Sequence, residues 1–235
     1  MKITECKKIN LENYRLNPCN NAFFIRIDPE DLSLALQDIL NELGDFSWLS
    51  KFDKEFLRSC MEVNAKKTCD ALKEKFYNED GDPVISEAGE YIVSVCSKRG
   101  VVEQLGHADV PLAELLGRQK TGNPGFDFFT EETSLQLVTC GEAKYLHGKN
   151  AYGTSLSQIN KFIKEEKHKS DIVILNGLVS DDSLHNLDEG RFGVCASFSS
   201  TNIQTDTLIT NICANDHFQQ ALGYNYIILV AVDVL

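Results

Sequence analysis

The sequence predicts an α/β protein in which helices flank a mixed central sheet, with an additional helical lobe at the N-terminus. Two apolar runs joined by a short polar turn, at residues 125–145, indicate a β-hairpin. A largely apolar run at 171–179, bounded by polar turns, has the pattern of a fully buried central strand. Helical patterns precede the hairpin and separate it from this strand. A strand, a helix and a strand in this order imply a right-handed crossover within one sheet.

The N-terminal part begins with a strand candidate at 22–27, Ala-Phe-Phe-Ile-Arg-Ile, which is closed by Asp28 and Pro29. Apolar residues then recur at approximately helical spacing over 30–43, and again over 50–77. Both stretches therefore predict helices.

The strongest break in the chain follows, because residues 78–83 are rich in the Asn, Asp, Gly and Pro typical of turns. The length of 235 residues suits one substantial domain, or a core with a small added lobe. We therefore expect an N-terminal strand plus helical lobe at 1–82 and an α/β core at 83–235.

Within the core, apolar residues at 3.6-residue spacing predict a helix over 86–102. Residues 103–124 form a long connection to the hairpin, and long connections inside a domain tend to be functional or mobile. After the hairpin and the buried run, the remaining predicted elements are a helix at 156–169, a strand at 193–198, a helix at 207–222 and a closing strand at 224–235.

The formal net charge is −12, which argues against nucleic-acid binding by the surface as a whole. The charge is uneven, however. From Lys144 to Lys169 there are six lysines against two glutamates, whereas residues 170–235 hold eight acids and one arginine. This positive strip fits a protein that touches phosphates in one place, or one that relies on a basic partner for most of its DNA affinity. A solvated helix face would give the same pattern.

No stretch of the sequence is long and apolar enough to span a bilayer, and the N-terminus lacks the apolar core of a signal peptide. We therefore expect a cytoplasmic protein that does not enter a membrane. The eight cysteines show no Cys-x-x-Cys pair and no histidine spacing suited to zinc. This pattern predicts reduced core cysteines rather than a disulfide scaffold.

Three charged residues stand out on the predicted hairpin. Asp127 lies near the start of its first strand, and Glu142 and Lys144 lie near the end of the second. Because side chains alternate along a strand, Glu142 and Lys144 project from the same face, with Ala143 between them. An Asp and a Glu that meet at one sheet edge make a hard-oxygen site for Mg²⁺ or Mn²⁺. A neighbouring lysine can stabilise an anionic transition state.

Asp127 followed by Glu142-Ala143-Lys144 on the next strand resembles the core of the PD-(D/E)XK, or restriction-endonuclease-like, nucleases. The resemblance covers about residues 84–180 and implies a restriction-endonuclease-like core. It implies that Asp127, Glu142 and the carbonyl of Ala143 bind Mg²⁺ (or Mn²⁺), and that Lys144 helps to position and activate the attacking water. Because Glu-x-Lys triplets are common, a half-exposed hairpin with a solvated Glu and Lys is the alternative.

The resemblance extends to residues outside the hairpin. It implies a glutamate from the preceding helix, for which Glu90 matches better than Glu87, although the helix dipole favours negative charge at both positions. It also implies that Gln158, in a Gln-x-x-x-Phe element, orients the site while the aromatic ring supports DNA. Ser155 and Gln158 equally form a capping box. His107 could face the metal, but a core or surface histidine is the commoner case.

On this resemblance the expected activity is metal-dependent cleavage of phosphodiester bonds in DNA. The layout looks most like the nuclease subunits of bacterial anti-phage systems, such as the Hachiman nuclease that pairs with a helicase. DNA is therefore the expected substrate, and a helicase or ATPase subunit is the expected protein partner. Two alternatives stay open. One is an inactive nuclease-like fold whose acidic surface binds a basic protein, and the other is a cysteine hydrolase that uses Cys140 or Cys195 with His147.

Overall fold

A computed structural model describes residues 1–16, 21–78, 86–118, 125–201 and 203–234. The strands in these ranges are β1 Lys2–Lys8, β2 Asn21–Asp28, β3 Ala108–Asp109, β4 Phe128–Glu132, β5 Leu137–Lys144, β6 Gly193–Ser199 and β7 Tyr226–Val232. They form one mixed sheet in the order β1-β2-β7-β6-β5-β4-β3. The central strands β2, β7, β6 and β5 are parallel, and antiparallel pairs complete the sheet on both sides.

Helices cover both faces of this sheet. They are α1 Leu32–Leu43, α2 Glu55–Asn78, α3 Ser86–Leu105, α4 Tyr152–Lys164, α5 Lys167–Ser170, α6 Ile172–Leu175, α7 Asp181–Asp188, α8 Thr205–Cys213 and α9 Asp216–Ala221. Helices α1, α2 and α3 contribute to the apolar core on one face, and α4, α6, α7, α8 and α9 contribute to the core on the other. The predicted α/β class, with a mixed sheet flanked by helices, is confirmed.

Strands β6 and β7 are buried along their whole length, as expected for parallel strands that are covered on both faces. They confirm the strands predicted at 193–198 and 224–235. Within the described ranges, no helix combines the length and the hydropathy needed to cross a bilayer.

The N-terminal elements agree with the prediction except for β1. Strand β2 confirms the strand at 22–27 and α1 confirms the helix over 30–43, while the stretch at 50–77 divides into a 3₁₀ turn at Ser47–Lys51 and α2. The sequence gives little sign of β1, because this strand at the sheet edge alternates exposed and half-buried residues.

The boundary expected near residues 78–83 lies almost entirely outside the described residues. Strand β2, from the part assigned to the N-terminal lobe, pairs in parallel with β7 from the part assigned to the core. The two parts therefore contribute to the same sheet.

The hairpin predicted at 125–145 is confirmed by β4 and β5, which pair antiparallel across a four-residue turn. Phe128 lies opposite Gly141, and a Cβ on Gly141 would lie only 2.4 Å from the Phe128 ring. Glycine at this position therefore lets the aromatic ring pack closely against β5. The helix predicted over 86–102 is confirmed by α3, which packs across the sheet.

The buried central strand predicted at 171–179 is wrong. Residues Ile172–Leu175 form the single helical turn α6, and Val173 is 80% exposed. Gly177, at a φ of +85°, then turns the chain. The parallel strand beside β5 is β6 instead. A short continuous apolar run does not by itself distinguish a strand from a helical turn, and here the sheet position was occupied by a later segment.

Two helices predicted as continuous are broken. The helix expected over 156–169 begins at Tyr152 and divides into α4 and α5, because Glu166 adopts a left-handed backbone with φ of +55°. The helix expected over 207–222 divides into α8 and α9. Asn215 starts the second helix, and its side chain accepts a hydrogen bond from the backbone N–H of His217.

Candidate active site

The carboxyl end of β5 brings together the charged residues of the hairpin. Asp127 lies immediately before β4, and its backbone N–H donates to the carbonyl of Gly141 at 2.9 Å. Its carboxylate in turn accepts a hydrogen bond from the N–H of Ala143, with Oδ2 2.6 Å from the nitrogen. These two bonds hold the Asp127 carboxylate directly beside the Glu-x-Lys segment.

Glu142 and Lys144 leave β5 on one face and form an ion pair, with 2.9 Å between Oε1 and Nζ. Glu142 is only 1% exposed. The Lys144 ammonium also lies 3.4 Å from Oε1 of Glu90 on α3. The structure therefore brings together Asp127, Glu142, Lys144 and Glu90.

A close approach of α3 to the end of β5 places Glu90 in this group. Gly89 packs against the ring of Tyr145, and a Cβ on Gly89 would lie 2.4 Å from that ring. Any larger residue would push the helix and the strand apart. The sequence Gly-Glu in α3 thus combines a small contact residue with the charged residue that it positions.

Glu114 joins the same group, although the sequence pattern did not single it out. It begins a π-helical turn, Glu114–Arg118, inside the long connection between α3 and the hairpin. The N–H of Ala113 donates to the backbone carbonyl of Asp127 at 3.2 Å, which fixes this turn beside the site. Buried Leu115 and Leu116 anchor the turn in the core. The only signal in the sequence was an acidic residue within an otherwise apolar segment of a long connection.

Burial, and after it the charges of neighbouring groups, shifts the pKa values in this group. Burial and the charge of Asp127 raise the pKa of Glu114 to about 8, and the same two causes raise the pKa of Glu142 well above its usual value. Burial raises the pKa of Asp127 to about 6, although the Lys144 ammonium opposes this shift. Burial acts to lower the pKa of Lys144, but the charges of Glu142, Asp127 and Glu90 outweigh it, so that pKa is raised.

Helix α4 supports the site from the other side. Ser155 is buried, and its hydroxyl donates to the backbone carbonyl of Glu142 at 2.9 Å. The capping-box interpretation of Ser155 and Gln158 is wrong, because α4 begins three residues before Ser155. Gln158 is half-buried one turn further along and lines a groove beside α4. Phe162 is buried against Phe126, with ring centroids 5.5 Å apart, so its ring is part of the core and cannot support DNA.

His107 belongs to a different polar cluster, near the start of β5. Its Nδ1 lies 2.9 Å from the hydroxyl of Thr130, and its Nε2 lies 3.3 Å from the Glu132 carboxylate. Burial lowers the pKa of His107, despite the opposing charge of Glu132. The structure therefore does not bring His107 to the group that contains Asp127 and Glu142. Glu87 lies in the first turn of α3, and its side chain is outside the described part of the structure.

The geometry does not favour a cysteine hydrolase. Cys140 and Cys195 are fully buried within the sheet, and burial raises the pKa of Cys195 to about 12. A nucleophilic cysteine needs the opposite shift. His147 lies in an exposed turn, where its Nδ1 is 3.2 Å from the Tyr145 hydroxyl.

The donor set of the carboxylate group fits a hard divalent cation in its chemistry. Oε2 of Glu142 and Oε2 of Glu114 are both buried and have no hydrogen-bond partner among the described residues. Carboxylate oxygens of this kind are the preferred ligands of Mg²⁺ and Mn²⁺. The same described residues contain no preformed group of three or more acidic, histidine or cysteine ligands. Part of the required positive charge is supplied by Lys144, which lies against Glu142 and Glu90.

Comparisons of the chain with protein-family models, with curated proteins and with solved structures found no match. The function is therefore inferred from the site itself.

Proposed function

We propose that this chain is a metal-dependent nuclease of the PD-(D/E)XK type that cleaves phosphodiester bonds in DNA. One observation carries the proposal: the Asp127 carboxylate is hydrogen-bonded to the backbone between Glu142 and Lys144, beside a buried carboxylate oxygen that has no partner among the described residues. The element order also supports it. Helix α3, the β4–β5 hairpin and helix α4 follow one another, and the buried parallel strand β6 comes after the short helices α5, α6 and α7, an order that supports a restriction-endonuclease-like core.

In this proposal Asp127 and Glu142, with the carbonyl of Ala143, hold Mg²⁺ or Mn²⁺. A bound divalent ion activates water and offsets charge on the phosphate. Lys144 contributes its positive charge rather than a base, because its neighbours keep it protonated at neutral pH. Its ammonium can donate to the attacking water and stabilise the negative charge that develops on the phosphate.

Glu90 and Ser155 act as positioning residues. Glu90 holds the Lys144 ammonium from the α3 side, and Ser155 holds the backbone of Glu142 from the α4 side. Each helix thus fixes one of the two charged residues that β5 presents, and small displacements of such groups lower activity.

The negative net charge supports a role as the effector subunit of a larger complex, which we propose is a bacterial anti-phage defence complex. A chain with a net charge of −12 repels DNA over most of its surface. A helicase or ATPase subunit that binds DNA itself would bring the substrate to the site. In this arrangement the local positive strip needs to touch phosphates only beside the bond that is cut.

Cleavage of labelled DNA tests the proposal, with and without Mg²⁺ or Mn²⁺, for the chain alone and with the product of the neighbouring reading frame. We expect Glu142→Ala and Lys144→Ala each to lower cutting at least about 100-fold while circular dichroism shows an unchanged fold. Glu103→Gln, an exposed substitution on α3, is the matched control and should cut normally.

Two results would count against the proposal. Equal cutting by the wild type and both alanine variants would show that the activity comes from elsewhere. Absence of cutting by the wild type under every condition would favour the inactive, protein-binding alternative.

A further inference from the structure

A polar groove runs between the start of α4 and the start of α9. Its volume is about 630 Å³, and it is lined by Asn150, Tyr152, Gly153, Thr154, Ser157, Gln158, Lys161, Asn215 and His217. The lining contains amides, hydroxyls, an imidazole and one ammonium, and no carboxylate.

Several donors in the groove are available to a ligand. Lys161 is exposed and lines the groove, and no described carboxylate lies within ion-pair distance of it. The side chain of Gln158 has no hydrogen-bond partner among the described residues. Nδ1 of His217 is likewise buried without a partner in the described part of the chain. Lys161 and Gln158 can therefore donate to an acceptor-rich molecule that lies in the groove.

The groove is held open by hydrogen bonds between its walls. Asn160 of α4 donates to the backbone carbonyl of His217 at 2.9 Å, and the Tyr224 hydroxyl donates to Asn160 at 3.2 Å. On the other wall, the Asn215 side chain accepts from the N–H of His217. These bonds fix the distance between α4 and α9, so the groove exists before any ligand binds.

Helix α4 connects the groove with the proposed active site. Ser155, which holds the Glu142 carbonyl, lies on the same helix as Gln158 and Lys161. Gln158 and Lys161 are three residues apart and therefore share one face of α4. Lys161 lies about 9 Å along the helix axis from Ser155, at 1.5 Å per residue.

We propose that this groove binds the phosphodiester backbone of the nucleic-acid substrate beside the bond that is cut. This inference rests on the proposed function. Lys161 pairs with a phosphate, and Gln158 and Ser157 donate hydrogen bonds to phosphate oxygens. Because these contacts go to the backbone, they position the strand without reading its sequence.

Binding can be measured separately from cleavage in the Glu142→Gln chain, which is not expected to cut. Fluorescence anisotropy with labelled single-stranded and duplex DNA, over a series of salt concentrations, reports both the affinity and its salt dependence. We expect Lys161→Gln in this background to weaken binding about tenfold at low salt. It should also reduce the slope of log K against log salt by about 1, because one phosphate contact is lost. Lys164→Gln, an exposed lysine on the same helix outside the groove, is the control and should change neither value.

Equal affinity and equal salt slope in Lys161→Gln and Lys164→Gln would contradict the proposed DNA-binding role of the groove, even if the wild type cuts DNA. Absence of DNA binding by the Glu142→Gln parent would also overturn it. Conversely, if DNA binding depends on Lys161 but the wild type never cuts DNA, the binding role of the groove would be supported and the proposed nuclease function would be contradicted.

Discussion

Two clusters of buried charged residues lie at the carboxyl ends of the parallel strands, and they differ in how completely their polar atoms are hydrogen-bonded. At the end of β2, Arg26 uses all five of its N–H donors. It forms a bidentate pair with Asp233 at 2.8 and 3.0 Å, and it donates to Ile203, Thr201 and Thr205. One guanidinium faces one carboxylate, and each hydrogen of the guanidinium has an acceptor.

At the end of β5, by contrast, the acidic groups outnumber the basic groups. The ammonium of Lys144 pairs with Glu142 and Glu90 and feels the charge of Asp127, and Glu114 adds a fourth carboxylate that repels Asp127 and Glu90. Two of the carboxylate oxygens are buried without a hydrogen-bond partner among the described residues. The Arg26 cluster therefore stabilises the fold, whereas ionisation of the carboxyl groups in the β5 cluster opposes folding, because burial raises their pKa values. Such a cluster of raised pKa values is typical of a functional site, where a bound cation can stabilise the charged carboxylates.

Removal of Arg26 should have the largest effect on stability. We expect Arg26→Gln to lower the free energy of unfolding by about 3 kcal/mol, because Asp233 and two backbone carbonyls lose their partner. Urea unfolding followed by circular dichroism measures this change. The folded fraction of the variant should still cut DNA. A loss of less than about 0.5 kcal/mol would show that the Arg26 cluster is not a structural clamp.

Removal of a charge from the β5 cluster should have the opposite sign and a smaller size. The folded state raises the pKa of Glu114 from 4.5 to about 8, so between these values the folded chain binds more protons than the unfolded chain. Stability should therefore fall as the pH rises through this window. Glu114→Gln cannot ionise, so it should be more stable than the wild type by about 1 kcal/mol near pH 8, and its stability should depend less on pH.

Thermal unfolding between pH 5 and pH 8, without divalent ions, measures this difference. A variant that is less stable than the wild type at every pH would show that the Glu114 carboxylate stabilises the fold. The β5 cluster would then stabilise the fold as the Arg26 cluster does, and the proposed difference between the two clusters would be wrong.

The sequence pattern was sufficient where a local rule determines the outcome. Period-2 alternation placed Glu142 and Lys144 on one face of β5, and the hairpin spacing placed Asp127 beside them. The Gly-Glu step of α3 places Glu90 3.4 Å from the Lys144 ammonium, and the role of Glu90 in the site stays a prediction.

Features that depend on long-range packing were not predictable. Glu114 reaches the site because a loop hydrogen bond ties its turn to Asp127, and no periodicity marks that turn. The run at 171–179 has the composition of a buried strand, but β6 takes the position beside β5. The groove lining comes from α4 and α9, whose first residues are more than 60 positions apart in the sequence.

The β5 cluster should bind a divalent cation through the carboxylates of Asp127 and Glu142. Isothermal titration of Mn²⁺ into the chain at neutral pH, without DNA, tests this directly. We expect the wild type and the control Glu103→Gln to bind Mn²⁺ alike, and Glu142→Gln to bind at least about tenfold more weakly. Equal Mn²⁺ binding by all three proteins, or binding by none of them, would contradict the claim.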